Sequence, residues 1–339
     1  MFFGKKKTVL GVDIGTSNIK IAEIFFEDAD KAVLSAYGIV NAPYQLTGKN
    51  DAEAIAPIAS ILKNLVAKAG VSNNKCVISL PNSAVFTSII ELPQMSAKEL
   101  GSAVEFEAKK YVPLALNDVD LSWSIIGSGA ETETKQKILL TAVPKQITKD
   151  YLQIFSLAGL IPEVGEIEVL ALIRSLIGNQ PLNCAIIDIG AKSTGVNIIE
   201  GGLLRLSRNL NIGGETITKK IAQTLNISFA RAEQFKKDFG VSSSTFLPET
   251  IKPVLNLIKS EVKQLLTLFQ SHNSKLDNLI LVGGGSNLPG IVEYFSDLAI
   301  PVTLGNPLGA VFYSQSLSEI LKRYSLSLSI AIGLALRRE

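Results

Sequence analysis

The sequence predicts an α/β protein large enough for two or three domains, with a pair of like segments about half a chain apart. Three observations predict it. Strand and helix patterns alternate through the first portion of the 339 residues. Val9 to Lys20 (VLGVDIGTSNIK) and Ala185 to Gly195 (AIIDIGAKSTG) read alike: an apolar strand, Asp-Ile-Gly, a small polar turn and a second strand. The chain is also 47% hydrophobic, as large sheets covered on both faces require.

In order, residues 8–14, 18–26 and 32–40 read as strands, Ile55 to Ala69 as a helix and Cys76 to Leu80 as a strand. From about Ala84 to Leu160 the pattern becomes β-α-β-β-α, an insertion into a larger α/β domain. Val85 to Leu92 is its first strand, stopped by Pro93. Ser96 opens a helix, with Glu99 three residues on completing a capping box. Leu100, Ala103, Val104 and Tyr111 give that helix an apolar face. Val119 to Ile126 and Lys137 to Val143 alternate as paired strands, and Ile147 to Ala158 is a helix.

Val164 to Ile177 reads as a helix leading into the second Asp-Ile-Gly strand. The turns Glu200-Gly201-Gly202 and Ile212-Gly213-Gly214-Glu215 follow, then a charged helix, Ser228 to Phe239. Val254 to Phe269 carries an apolar stripe at 254, 258, 262, 265, 266 and 269. A third glycine segment, Leu279 to Gly290 (LILVGGGSNLPG), comes next, and the chain closes with a short helix containing Gly333.

With 33 basic and 31 acidic residues, the charge balance argues against a broad nucleic-acid surface, and Lys5-Lys6-Lys7 reads as a solvated end. Cys76 and Cys184 sit in apolar strands, as core residues in a reducing compartment. Asp13 cuts the apolar stretch after the lysines, which excludes a signal peptide. Leu326 to Leu336 falls short of the ~20 residues a spanning helix needs. A cytoplasmic, soluble protein is the expectation.

Gly15 and Gly190 allow sharp turns with no Cβ between backbone N–H groups and a phosphate. Thr16, Ser17, Ser193 and Thr194 add hydroxyl donors, and Lys20 lies where an ammonium reaches a terminal phosphate. Asp13 and Asp188 would face each other across a cleft and hold Mg²⁺ through water, since Mg²⁺ dehydrates reluctantly. Glu166 and Glu168 sit in the helix before the second Asp-Ile-Gly strand, where each reads as a helix-face carboxylate or, by the resemblance to the actin-like ATPase superfamily described below, as the group that positions an attacking water. His272 reads as an exposed helix end and Trp123 as packing or edge cover; without a His/Cys cluster there is no basis for zinc.

The three glycine segments in this order resemble the nucleotide site of the actin-like ATPase superfamily. Further motifs narrow the resemblance to the PilM family of type IV pilus assembly, relatives of the cell-division protein FtsA. They are Ser79 to Ser83 (SLPNS), Ile90 to Met95 (IELPQM), Glu105 to Pro113 (EFEAKKYVP), Ile212 to Thr218 (IGGETIT), Ser260 to Leu266 (SEVKQLL), Gly305-Asn306-Pro307 and Ile332 to Arg337 (IGLALR).

The resemblance implies an actin-like fold of two duplicated α/β halves around a nucleotide cleft, with a small SHS2-like insertion. The implied subdomains are 1–83 with 161–180 and 325–339; the insertion 84–160; 181–225 with 276–324; and a helical unit, 226–275. ATP with Mg²⁺ is the implied cofactor, and Asp13, Asp188 and Glu168 the implied catalytic residues, with at most weak ATPase activity. Gly213, Gly214 and Thr216 would lie near the sugar and base. Glu233 and Lys236 would bind the ribose and flank adenine, or form a solvated charged face. Gly283, Gly284, Gly285 and Ser286 would form the adenosine loop.

The implied partners are a PilN-like inner-membrane protein, through its N-terminal cytoplasmic tail, and other pilus platform components, with self-association. Nucleic acid and direct membrane insertion are not implied. The tail would lie between the first subdomain and the insertion, along Val85 to Leu92 and the helix 96–111. An FtsA-like filament protein and a small-molecule kinase of the same fold are the alternatives; the chain stops directly after its last helix, where FtsA-like chains continue into a membrane-binding tail.

Overall fold

β-Branched residues at Val9, Val12, Ile19, Ile21 and Ile24, all at or under 9% exposure, start the chain as a meander. The computed structural model describes residues 7–27, 31–44, 46, 51–82, 85–128, 135–242, 247–270 and 275–338. Lys5, Lys6, Ser83, Ala84 and His272 lie outside the described residues. Strand β1 (Lys7–Ile14) pairs antiparallel with β2 (Asn18–Phe26), which pairs with β3 (Ala32–Asn41). Helix α1 (Ala52–Ala69) buries Ile55, Ile58, Leu62 and Leu65, and β4 (Lys75–Leu80) returns parallel to β1.

The insertion follows: β5 (Phe86–Pro93), α2 (Ala97–Ala108), β6 (Val119–Ser128), β7 (Lys135–Pro144) and α3 (Lys145–Ala158). The Ser96–Glu99 capping box is formed. Its sheet has the order β5-β7-β6, and Ile90, Leu100, Val104, Ala108 and Ile138 form a core of its own. Tyr111 is 48% exposed, because α2 ends at Ala108 and Val112 takes the inward place. Trp123 packs against this core from an edge strand. Helix α3 packs elsewhere: Ile147, Tyr151, Ile154 and Phe155 share a core with α1, β1 and β4.

Residues 164–177 are not one helix. The chain forms β8 (Ile161–Ile167), parallel to β4, and then α4 (Glu168–Leu176). Exposure alternates along β8, and pairing with β4 overrides the local helical spacing. The first sheet is thus β3-β2-β1-β4-β8.

The second half repeats this plan. Its elements are β9 (Cys184–Ile189), β10 (Thr194–Glu200), β11 (Leu203–Leu210), α5 (Gly214–Leu225), α6 (Phe229–Phe239), α7 (Leu247–Gln270), β12 (Asn278–Val282), α8 (Ile291–Phe295) and β13 (Val302–Leu304). Its sheet is β11-β10-β9-β12-β13, the same arrangement of an antiparallel meander and parallel return strands. The α7 stripe is buried, from Val254 to Phe269, although the helix starts earlier and runs through Pro253.

Helix α9 (Ser318–Ala335) closes the chain, longer than the short helix expected. It lies across β1 and β2 and against α4. Gly11 and Gly333 make this fit possible, since a Cβ at either would overlap the Ala331 or the Ala171 carbonyl. The return to the first sheet comes before residue 325: Phe312 exchanges backbone hydrogen bonds with Ala32 and Leu34. Both cysteines are free, buried thiols that burial pushes up to about 12. Among the described residues no helix is long and apolar enough to cross a membrane.

Candidate functional site

The two Asp-Ile-Gly turns are built alike. Gly15 N–H donates to Asn18 O at 3.0 Å, and Gly190 N–H to Ser193 O at 2.9 Å, so both glycine amides close the turns themselves. In strand register Asp13 faces Lys20, whereas Asp188 faces Gly195.

Asp13 is fully engaged. It is 1% exposed; Lys20 Nζ donates to Oδ2 at 2.8 Å and Ser79 Oγ, from the end of β4, to Oδ1 at 2.7 Å. Lys20 folds over its own turn, 2.6 Å from where a Cβ on Gly15 would stand. Burial pulls its pKa down, but Asp13, with Asp188 and Glu168 beyond, outweighs that and holds it above the usual lysine value. Thr16 and Ser17 are half-buried beside it.

Among the described residues nothing donates a hydrogen bond to Asp188. Burial, reinforced by Asp13 and opposed by Lys20, pushes its carboxyl up to about 6. Glu168 begins α4 and accepts from Asn82 Nδ2 at 2.5 Å. Burial first, then the charges of Asp13 and Asp188, hold it well above the carboxylate range. Three carboxylates therefore converge on one ammonium. Glu166 sits in β8, not in a helix; Arg174 Nη2 donates to both of its oxygens at 2.6 and 2.7 Å and Arg337 Nη1 donates to Oε2, apart from this cluster.

Two further segments dock on the second turn. Gly214 N–H donates to Gly190 O at 2.9 Å and Glu215 N–H to Ala191 O at 2.8 Å, which seats the start of α5. Thr216 Oγ1 accepts from Gly213 N–H at 3.4 Å. Thr194 is fully buried and gives its hydroxyl to Ile212 O at 2.6 Å, while Ser193 stays half-buried at the turn. Glu233 and Lys236 are no freely solvated face. Lys236 Nζ reaches Gly214 O at 3.1 Å, Thr218 Oγ1 at 2.9 Å and Glu233 Oε2 at 2.7 Å, and so clamps α6 to the N-terminus of α5.

The third glycine segment crosses the end of β9. Gly283 has φ +81°, its N–H donates to Leu326 O of α9 at 3.1 Å, and a Cβ there would overlap the Asp188 carboxylate. Gly285 lies equally close to Ile189, whereas Gly284 is exposed. Ser286 is 1% exposed and donates its hydroxyl to Val282 O.

The fold thus brings Asp13, Lys20, Asp188 and Glu168 together, with Gly213, Gly214, Glu233, Lys236 and Gly283 around the second turn. Sequence reasoning missed Ser79 and Asn82 as site residues. Their signal was position: SLPNS ends a parallel strand beside β1, and ligands of α/β sheets gather at the carboxyl ends of such strands. Among the described residues no group of three His, Cys, Asp or Glu side chains is placed to hold a metal by itself.

The family described as type IV pilus assembly protein PilM matches residues 11–339. The solved PilM-PilN type IV pilus biogenesis complex contains a chain 27% identical to this one, with a TM-score of 0.86, over 97% of this chain and 98% of that one. The cell-division protein FtsA of Streptococcus pneumoniae is 24% identical over 335 residues, 84% of this chain and 72% of FtsA. MreB 5 of Spiroplasma citri, solved with AMPPNP, shares the fold at 14% identity and a TM-score of 0.52, over 97% of this chain and 93% of its own.

Proposed function

The chain belongs to the PilM family of type IV pilus assembly proteins, with the actin-like fold, and on that premise we propose a two-part function. The cleft binds Mg·ATP, and the inserted unit receives the N-terminal cytoplasmic tail of a PilN-like membrane protein. The protein is then an adaptor on the inner face of the membrane, held there through its partner.

What supports the nucleotide reading most is the convergence of Asp13, Asp188 and Glu168 on Lys20 between two glycine turns. Carboxylates gathered, one buried and two half-buried, with too little positive charge call for a cation, and Asp188 has no donor among the described residues to satisfy it. A magnesium ion, when bound, supplies that charge and neutralises phosphate oxygens. Asp188 fits its water shell; Asp13 joins only if Lys20 leaves it. Lys20 released from Asp13 is placed for a terminal phosphate. Glu168, whose carboxyl burial and the charges of Asp13 and Asp188 hold well above its ordinary value, is the candidate group to position an attacking water.

The PilM-PilN complex supports the partner. The expected lining needs refinement: Ile90, Leu100 and Val104 are core residues of the insertion, whereas Phe106, Tyr111 and Leu114 stay exposed beside α2. These three exposed apolar side chains are candidates for the partner surface.

Calorimetry tests both parts. Mg·ATP should bind with micromolar affinity or tighter, about −8 kcal/mol, and far more weakly with magnesium chelated. Unchanged affinity in both Asp13→Ala and Asp188→Ala would overturn the site. A synthetic peptide with the N-terminal sequence of a PilN-like protein from the same genome should bind the full chain; no binding in the presence of ATP would favour the FtsA-like alternative.

A further inference from the structure

Helix α3 carries a hydroxyl that the protein itself does not use. Tyr151 is 2% exposed, and its ring lies in the core with Ile147 and Ile154, stacked on Phe155 at a centroid distance of 6.3 Å. Its hydroxyl has no hydrogen-bond partner among the described residues. Nor is it sealed in, as the unpaired Asp150 Oδ2 and Asn278 Oδ1 are. A buried tyrosine ordinarily finds a partner for its O–H, because leaving that group unpaired is costly.

Topology decides where this hydroxyl points. β4 and β8 are parallel, and α3 ends just before β8 begins and packs against it. The helix therefore descends from the carboxyl ends of these strands to their amino ends. Side chains on a helix lean towards its N-terminus, so Tyr151, in the second turn of α3, leans towards the carboxyl ends of the strands. Asp13 and Ser79 stand at the ends of β1 and β4, and Glu168 directly follows β8. Burial first, then the charges of Asp13 and Glu168, hold the phenol well above its ordinary pKa.

Neither carboxylate has taken the hydroxyl. Asp13 is filled by Lys20 and Ser79, and Glu168 Oε2 accepts from Asn82. An anion brought beside these two carboxylates needs donors, and the carboxylates are acceptors only when ionised. A phenol supplies a donor and stays protonated at neutral pH.

We propose that Tyr151 is a binding residue of the cleft, its phenol donating to the terminal phosphate of a bound nucleoside triphosphate, the phosphate for which Lys20 is placed. This rests on the cleft being a nucleotide site. The hydroxyl contributes to the triphosphate complex alone, because a diphosphate lacks the group that would accept from it.

Tyr151→Phe removes the hydroxyl and keeps the ring. Titration calorimetry of the full chain with Mg·AMPPNP and with Mg·ADP compares this variant with the wild type. The variant should lose about tenfold in AMPPNP affinity, the size of one hydrogen bond to a charged group, and stay within about twofold for ADP. The melting temperature of the nucleotide-free protein should not fall, since no bond is broken there. Equal losses for the two nucleotides, unchanged AMPPNP affinity, or a lowered nucleotide-free melting temperature would each overturn the assignment. A wild type that binds neither nucleotide removes the reading on which it rests.

Discussion

The two Asp-Ile-Gly turns share backbone, register and sheet position, yet their aspartates stand in opposite electrostatic states. Asp13 has a lysine on one oxygen and a serine on the other. Asp188 faces a glycine across its strand pair, packs against the bare backbone of Gly283, and carries a carboxyl pushed up to about 6. A duplicated scaffold has thus been filled asymmetrically: one half supplies a finished ion pair, the other an acid short of a counter-charge. The difference teaches that the first turn is held by the protein itself, whereas the aspartate of the second has no hydrogen-bond donor among the described residues.

The most forceful test sets the two neutralising substitutions side by side. Asp13→Asn breaks the 2.8 Å ion pair, leaves the Lys20 ammonium only the charges of Asp188 and Glu168, and should destabilise the fold by about 3 kcal/mol. Asp188→Asn should act in the opposite direction. Because folding raises the Asp188 pKa, its contribution to stability is present below the ordinary carboxylate pKa and is lost as pH rises through about 6. Removing that charge should lift the melting temperature of the nucleotide-free protein by a few degrees at pH 7.5. Calorimetric melts of both variants decide it: two changes of the same sign would break the comparison.

Gly283 and Gly284 probe the same asymmetry through space rather than charge. Gly283→Ala forces a Cβ at φ +81° into the Asp188 carboxylate and should weaken Mg·ATP binding by about a hundredfold. Gly284→Ala meets only Ser327 Oγ at 3.4 Å and should stay within about threefold. Titration calorimetry of the two variants compares them directly, and equal losses would mean that the segment acts by flexibility and not by shape.

Much of this arrangement was legible in the sequence, for identifiable reasons. β-Branched residues announced β1, β2 and β9; the Ser96–Glu99 box announced α2; and the stripe from Val254 announced α7. What was hidden depended on partners distant in the chain. Residues 164–167 look helical until β4 is beside them. The serines of α9 obscured its pattern because their cost is met locally: Ser325 donates to Lys322 O and Ser329 to Leu326 O, each at 3.0 Å. Ser79 and Asn82 entered the sequence analysis only as part of the SLPNS motif, and only the sheet shows that they stand over Asp13 and Glu168. Glu233 and Lys236 resembled a solvated face because Thr218, their shared partner, lies on another helix.

The titration of Asp188 sharpens the comparison along the pH axis. Cation binding requires the ionised carboxylate, so Mg·ATP affinity should fall by up to about tenfold per unit as pH drops below about 6. The nucleotide's own phosphate titrates nearby, so the readout is the difference between wild type and Asp188→Asn. That difference should vanish towards low pH and open above pH 6. A constant gap across the range would mean that Asp188 acts without changing its protonation.

The smallest expected effect lies one residue before Gly195. Thr194 and Ile19 hold matching positions in the two strand pairs and both are fully buried. Ile19 serves only packing, whereas the Thr194 hydroxyl donates to Ile212 O at 2.6 Å and ties the second turn to the loop that opens α5. Thr194→Val keeps the shape and leaves that carbonyl unpaired, a loss of about 1 kcal/mol. Ile19→Val, its counterpart, removes one methyl group and should cost about the same by packing alone. Stability therefore will not separate them, but nucleotide affinity will. Thr194→Val should weaken Mg·ATP binding by about threefold through the loosened second turn, as an unmade bond of this size predicts, while Ile19→Val leaves affinity unchanged. Equal affinities in the two variants would show that this tie does not reach the ligand.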